Sequence, residues 1–80
     1  MTVKEIVYLL STKQGLTQDD LANKIGYTNQ GSVARPLSRN SGMTMQVGTL
    51  IRWLEALDAQ IVIEPLDGDD GYVLDGEKEL

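Results

Sequence analysis

Cysteine and histidine are both absent from this 80-residue chain. Without cysteine there is no disulfide, no thiolate nucleophile and no cysteine zinc site. Without histidine the usual general base and the commonest metal ligand are missing. No apolar run approaches the roughly 18 residues of a membrane span, and no signal peptide is visible. The expectation is a soluble cytoplasmic protein with no membrane partner. A further absence is local: from Tyr27 to Leu54 there is no Asp or Glu, and Arg35, Arg39 and Arg52 fall within that stretch. Paired acids occur near the C-terminal end without a base or nucleophile beside them, which argues against an enzyme and against any cofactor.

What is present is one domain's worth of chain, large enough for a modest core and small enough to gain from dimerisation. The net charge of −5 looks unfavourable for a partner rich in phosphate. Its distribution changes that reading. Residues 1–63 carry six cations against five acids, net +1, whereas residues 64–80 carry one cation against seven acids, net −6. The acidity is a property of the tail. The expected organisation is a helical unit at 1–59 followed by a β element and acidic tail at 60–80.

The stretch LTQDDLANKIGYTNQGSVARPLSRN, residues 16–40, organises the helical unit. Thr17 suits an N-cap, Asp19 and Asp20 suit the first turn of the helix it opens, and Leu21 and Ile25 lie four apart on one face. Gly26 suits a left-handed stop. Thr28 or Asn29 can then cap a further helix carrying Val33 and Leu37; alternatively Gly31 is a loop residue and the helix begins at Ser32. Two short helices joined by a tight, glycine-containing turn is the plan of a helix-turn-helix. Before it, Thr2 and Glu5 stand at capping-box spacing ahead of Val3, Ile6, Val7 and Leu10. After it, Met43 and Met45 suit core gap-filling, and Val47, Leu50, Ile51, Leu54 and Leu57 form a helical stripe with Trp53 at its edge, as core or as an oligomer contact.

In such a plan the later helix reads DNA. Gln30 can bond bidentately to adenine, Arg35 to guanine and Ser32 to either, while Gly31 lets the backbone approach the groove floor. Asn29, at the helix start, completes the base-reading set. Gln18, just inside the cap, is placed to hold a phosphate with the free N–H groups of its helix. Pro36 is awkward: it cannot donate to the carbonyl of Ser32 and costs about 3 kcal/mol inside a helix. Either it kinks the helix or the helix starts late, and the direction of Arg35 depends on which.

Residues 3–63 resemble the lambda-repressor/Cro-like (XRE) helix-turn-helix family, on LTQ opening one helix, LANKIGY closing it, NQGSV starting the next, and TLIRWLEALDAQIVI as a later helix and trailing strand. The resemblance implies a mostly α fold: four to five helices in a lambda-repressor-like domain, with a C-terminal β-strand or hairpin. It implies that Thr17, Gln18, Thr28, Arg39, Asn40 and Ser41 touch the phosphate backbone. It further implies a sequence-specific transcriptional regulator, a homodimeric repressor of a phage-like or mobile-element operon. Alternatives are an antitoxin that binds DNA while masking a toxin protein, and a protein-interaction module that binds no DNA.

The last part changes period. The β-branched run Ile61, Val62, Ile63 argues for a strand, the sequence DGDDG at 67–71 for a loop, and Tyr72 to Leu74 for a returning strand. A lone hairpin is marginal in water. The expected dimer interface is therefore Trp53, Ile61, Val62, Ile63 and Tyr72, with the acids turned away from DNA. The aspartates lack the fifth and twelfth ligands of a calcium loop, so no metal is expected.

Overall fold

The structure, a computed structural model, describes residues 1–76; residues 77–80, the end of the expected tail, lie outside the described part. Among the described residues there are four α-helices: α1 (Val3–Lys13), α2 (Gln18–Ile25), α3 (Gly31–Ser38) and α4 (Val47–Ala56). A short 3-10 turn covers Arg39–Gly42, and two strands follow, β1 (Ile61–Ile63) and β2 (Tyr72–Leu74). The fold is mostly helical with one small antiparallel sheet.

Local chemistry explains where α1 and α2 begin. Thr2 and Glu5 form a reciprocal capping box: the Glu5 N–H donates to Thr2 Oγ1 at 3.3 Å, and the Thr2 N–H donates to Glu5 Oε1 at 2.9 Å. Thr17 and Asp20 repeat the device at α2, with distances of 3.1 and 2.9 Å. Each box satisfies two donors that a helix start leaves unpaired. Gly26 stops α2 in the left-handed region, at φ 106°. The Tyr27 N–H then returns to the carbonyl of Ala22 at 2.8 Å, which folds the chain back sharply toward α3.

The start of α3 differs from both expectations: the helix begins at Gly31, not Ser32, and its N-cap position is Gln30 rather than Thr28 or Asn29. Gln30 already has helical dihedrals, and the Asn29 side chain, two residues before the first helical residue, accepts the Gly31 N–H at 2.6 Å. Pro36 sits inside the helix, which ends two residues later at Ser38. Arg39, Asn40 and Ser41, named above as phosphate contacts, do not continue this helix. Instead Arg39 is extended, and Asn40 and Ser41 take left-handed dihedrals at φ 48° and 55°. Gly42, also left-handed, ends this turn where a Cβ would come within 3.0 Å of the Val3 side chain. The turn is pressed against the start of α1.

The core cluster is Val7, Leu21, Ala22, Val33, Leu37, Trp53 and Leu57, with Val3, Leu10, Leu16, Ile25, Tyr27 and Met45 packed around it. Trp53 is fully buried, which removes it from any dimer surface. It lies off the stripe of α4 because Tyr27, from the turn ahead of α3, supplies a wall on that side at a ring separation of 6.2 Å. Ile6 is not core but 39% exposed, and Leu50 is only half-buried. Both line an apolar groove between α1 and α4 that Ile61 borders. Met43 is exposed rather than a gap-filler, its sulfur accepting the Val3 N–H. The C-terminal carbonyls of α4 are tied to the other helices: Gln14 donates to Leu57 O at 2.7 Å and Lys24 to Ala56 O at 3.4 Å.

β1 and β2 pair with Ile61 opposite Leu74, Val62 opposite Val73 and Ile63 opposite Tyr72. The hairpin meets the helices at its base. Ile61 borders the α1–α4 groove, and the chain passes Ile51 of α4 at Gly76, where a Cβ would sit 3.4 Å from that side chain.

Two stability predictions follow from these contacts. Leu21 is 1% exposed at the centre of the core, so Leu21→Ala is expected to destabilise by about 2–5 kcal/mol through the cavity it leaves. Chemical denaturation measures this, and a loss below about 1 kcal/mol would contradict the packing. Hydrogen bonds from the backbone N–H and hydroxyl of Thr2 hold Glu5 below its ordinary 4.5, and those of Thr17 hold Asp20 below 3.8. A carboxyl lowered by folding stabilises above its unfolded value and loses that contribution as pH falls through its folded value. Stability should therefore fall below about pH 4.5, and less steeply in a Thr2→Ala, Thr17→Ala variant followed by the same denaturation series.

Candidate nucleic-acid interface

α3 turns Val33 and Leu37 inward, which leaves Gly31, Arg35 and Ser38 on its outward side. The helical spacing alone demands this once the two apolar residues are buried. Arg35 is exposed despite Pro36 after it, and its side chain runs back toward the start of α3. Its Nε lies 3.9 Å from where a Gly31 Cβ would be. Arg35 thus folds back over the Gly31 backbone at ordinary contact distance, and the atom that a Gly31 Cβ would crowd is Asn29 Oδ1, at 3.1 Å. Asn29, Gln30 and Ser32 are exposed beside it. The five residues expected to read bases form one cluster at this end of the helix.

Gln30 faces α2. Its Nε2 donates to Gln18 Oε1 at 2.8 Å, joining the first turn of α2 to the first turn of α3. Sequence reasoning gave the two glutamines separate tasks, and nothing at a separation of twelve residues announces a bond between them.

The expected phosphate contacts divide into two groups. Thr17, Gln18 and Ser41 share a groove of about 680 Å³ between α1, the start of α2 and the end of α3. Arg39 lies on the opposite flank of α3, in a second concavity with Arg35, Pro36, Thr44, Gln46 and Thr49. Thr28 is exposed in the α2–α3 turn, and Asn40 is exposed in the left-handed turn. Thr17 has less to offer than expected, because its N–H and an oxygen lone pair are engaged with Asp20. Asp19 and Asp20 also weaken the positive end of α2.

Sequence reasoning missed Lys4, Tyr8 and Thr12, which line the first groove alongside Gln18. They were findable: a spacing of four places them on one side of α1, away from its apolar stripe. Of the expected dimer residues, Val62, Ile63 and Tyr72 are exposed and Ile61 is half-buried. Comparison with family models, with curated proteins and with solved structures returned no match for this chain. The functional reading therefore rests on its own residues and their geometry.

A double-mutant cycle tests the glutamine bond. Gln18→Ala and Gln30→Ala are expected to couple in folding stability by about 0.5–3 kcal/mol in chemical denaturation, as groups in direct contact do. Additive losses would mean that the two side chains act independently.

Proposed function

We propose that this chain is a sequence-specific double-stranded DNA-binding transcriptional regulator and not an enzyme. In this reading α2 and α3 act as a helix-turn-helix of the lambda-repressor/Cro-like kind. The observation that carries the reading is the Gln18–Gln30 amide bond. With one Nε2 hydrogen committed to Gln18, Gln30 keeps its Oε1 acceptor and a second N–H. That pair matches the N6–H donor and N7 acceptor of adenine in the major groove. Gln18 keeps both of its amide hydrogens for a phosphate oxygen, beside the N–H groups at the start of α2. A backbone contact and a base contact are thereby held in fixed relation. Arg35, over Gly31, adds a donor fork suited to guanine, and Arg39 adds a cation on the other flank. Mechanistically such a protein represses by occupying its operator.

The hairpin favours a protein partner as well. Tyr72 is 67% exposed and Leu66 fully so, and Val62, Ile63 and Val73 are exposed on a two-stranded sheet with open edges. Apolar surface and unpaired edges of this kind invite pairing. We take the partner to be a second copy of the chain, which would present two α3 helices to a two-fold-related operator. A toxin protein on the same surface is the alternative occupant. The hairpin begins at Ile61, which borders the α1–α4 groove, and in this reading Glu64, Asp67, Asp69 and Asp70 point away from bound DNA, because acids within a Debye length of about 8 Å would repel phosphate.

Binding over a salt series separates the roles. Gln30→Ala and Ser32→Ala should lower discrimination between duplexes, each base contact being worth about 1–3 kcal/mol. Arg39→Ala should weaken all duplexes equally and flatten the salt dependence. Equal loss on every sequence for Gln30→Ala would remove it as a reader. For the partner, sedimentation should show a dimer that Ile63→Glu converts to a folded monomer. A wild-type monomer would move the hairpin's role to another protein.

A further inference from the structure

Tyr27 lies in the α2–α3 turn, and its hydroxyl oxygen accepts two hydrogen bonds from α4. Arg52 Nη2 donates at 2.8 Å and Trp53 Nε1 at 3.3 Å. A phenolic hydroxyl has room for two such donors and one hydrogen of its own to give. With both donors seated on the α4 side, the Tyr27 hydrogen is directed away from α4. Arg52 is restrained a second time, its guanidinium carbon lying 5.6 Å from the centre of the Tyr27 ring. The ring itself stands edge-on to Trp53, which is fully buried. Glu55, one turn along α4, is the acid nearest in sequence, yet Arg52 reaches for Tyr27.

An exposed arginine held this way has already lost the freedom that binding an anion would otherwise cost it. Its remaining N–H groups and the Tyr27 hydroxyl form adjacent donors without an acid between them in the chain. Tyr27 also lines the concavity at the start of α3, with Asn29, Gly31, Ser32, Arg35 and Pro36. Gln18 lies on the other flank, reached through Gln30.

We propose that Arg52 and Tyr27 form a preorganised oxyanion site that takes a backbone phosphate of DNA on the flank of α3 opposite Gln18. This rests on the DNA-binding reading and extends it: α3 would be straddled by two phosphate contacts, one on each wall of the groove. A chain phosphate and a free phosphate share this chemistry, and the experiment below separates them.

The full chain is assayed on random-sequence duplex across a salt series, as wild type, Arg52→Gln and Arg52→Lys. The indole N–H resonance of Trp53, the only tryptophan, is followed in parallel. Losing one phosphate contact lowers the slope of log affinity against log salt by about 0.9, so Arg52→Gln should show that decrease and bind all sequences several-fold more weakly. Arg52→Lys should restore the slope while binding less tightly than wild type, since the charge returns without the fork. The Trp53 resonance should move on adding DNA to wild type and stay in place in Arg52→Gln. If wild type binds DNA and Arg52→Gln leaves both slope and resonance response unchanged, Arg52 and Tyr27 only brace the turn, and the proposal is overturned. If wild type binds no duplex at any salt, the DNA reading itself fails. Titration with inorganic phosphate then decides the site separately: a Trp53 shift in wild type absent from Arg52→Gln supports an oxyanion site for free phosphate, and no shift removes the site as well.

Discussion

The angle between α2 and α3 governs what this molecule can present, and it is set within six residues. Ala22 is buried in the core cluster, where its small side chain lets α2 lie close to its neighbours. Gly26 takes a left-handed conformation that costs an alanine roughly 1–2 kcal/mol. The Tyr27 N–H closes the turn on the carbonyl of Ala22, and the Tyr27 side chain fastens the same turn to α4. With those contacts in place, the first turns of α2 and α3 come close enough for Gln18 and Gln30 to bond. The candidate site is thus a consequence of how one short turn is packed. A larger residue at position 22 would be felt at Gln30 without touching it.

The elements most legible in the sequence were those fixed by nearest-neighbour chemistry. Thr2 with Glu5, Thr17 with Asp20, and Gly26 each carry a start or stop signal within four residues, and α1 and α2 begin or end where those signals stand. The hairpin was legible from the β-branched run and the DGDDG loop. What was not legible depended on distant parts of the chain. Asn40 and Ser41 are left-handed in a turn whose next residue, Gly42, abuts Val3 at the start of α1. Trp53 is buried because Tyr27 comes to meet it from 26 residues away. Ile6 is part-exposed because the hairpin base covers the α1–α4 groove incompletely. For the candidate site, the reading cluster on α3 was visible as residue types in order, whereas its pairing with Gln18 and the Arg52–Tyr27 contact needed three dimensions.

Charge is arranged to match. The acid-free stretch from Tyr27 to Leu54 contains α3 and the flanking turn, so three arginines stand there with no carboxylate between them in sequence. Lys24 is spent on the end of α4. Asp20 is drawn into the cap of α2, while Asp19 remains exposed at the same helix end. The acids of the hairpin loop follow the segment based on α1 and α4. A net charge of −5 therefore describes the chain as a whole and poorly describes the surface around α3.

The proposal that α3 reads base sequence is tested by selection of this 80-residue chain against a pool of random duplex DNA. Base reading by a symmetric dimer should enrich a defined motif, repeated with two-fold symmetry at a spacing of about 10–10.5 base pairs or a multiple of it. A pool that remains random while binding collapses with added salt would contradict it, leaving a surface that responds to charge alone.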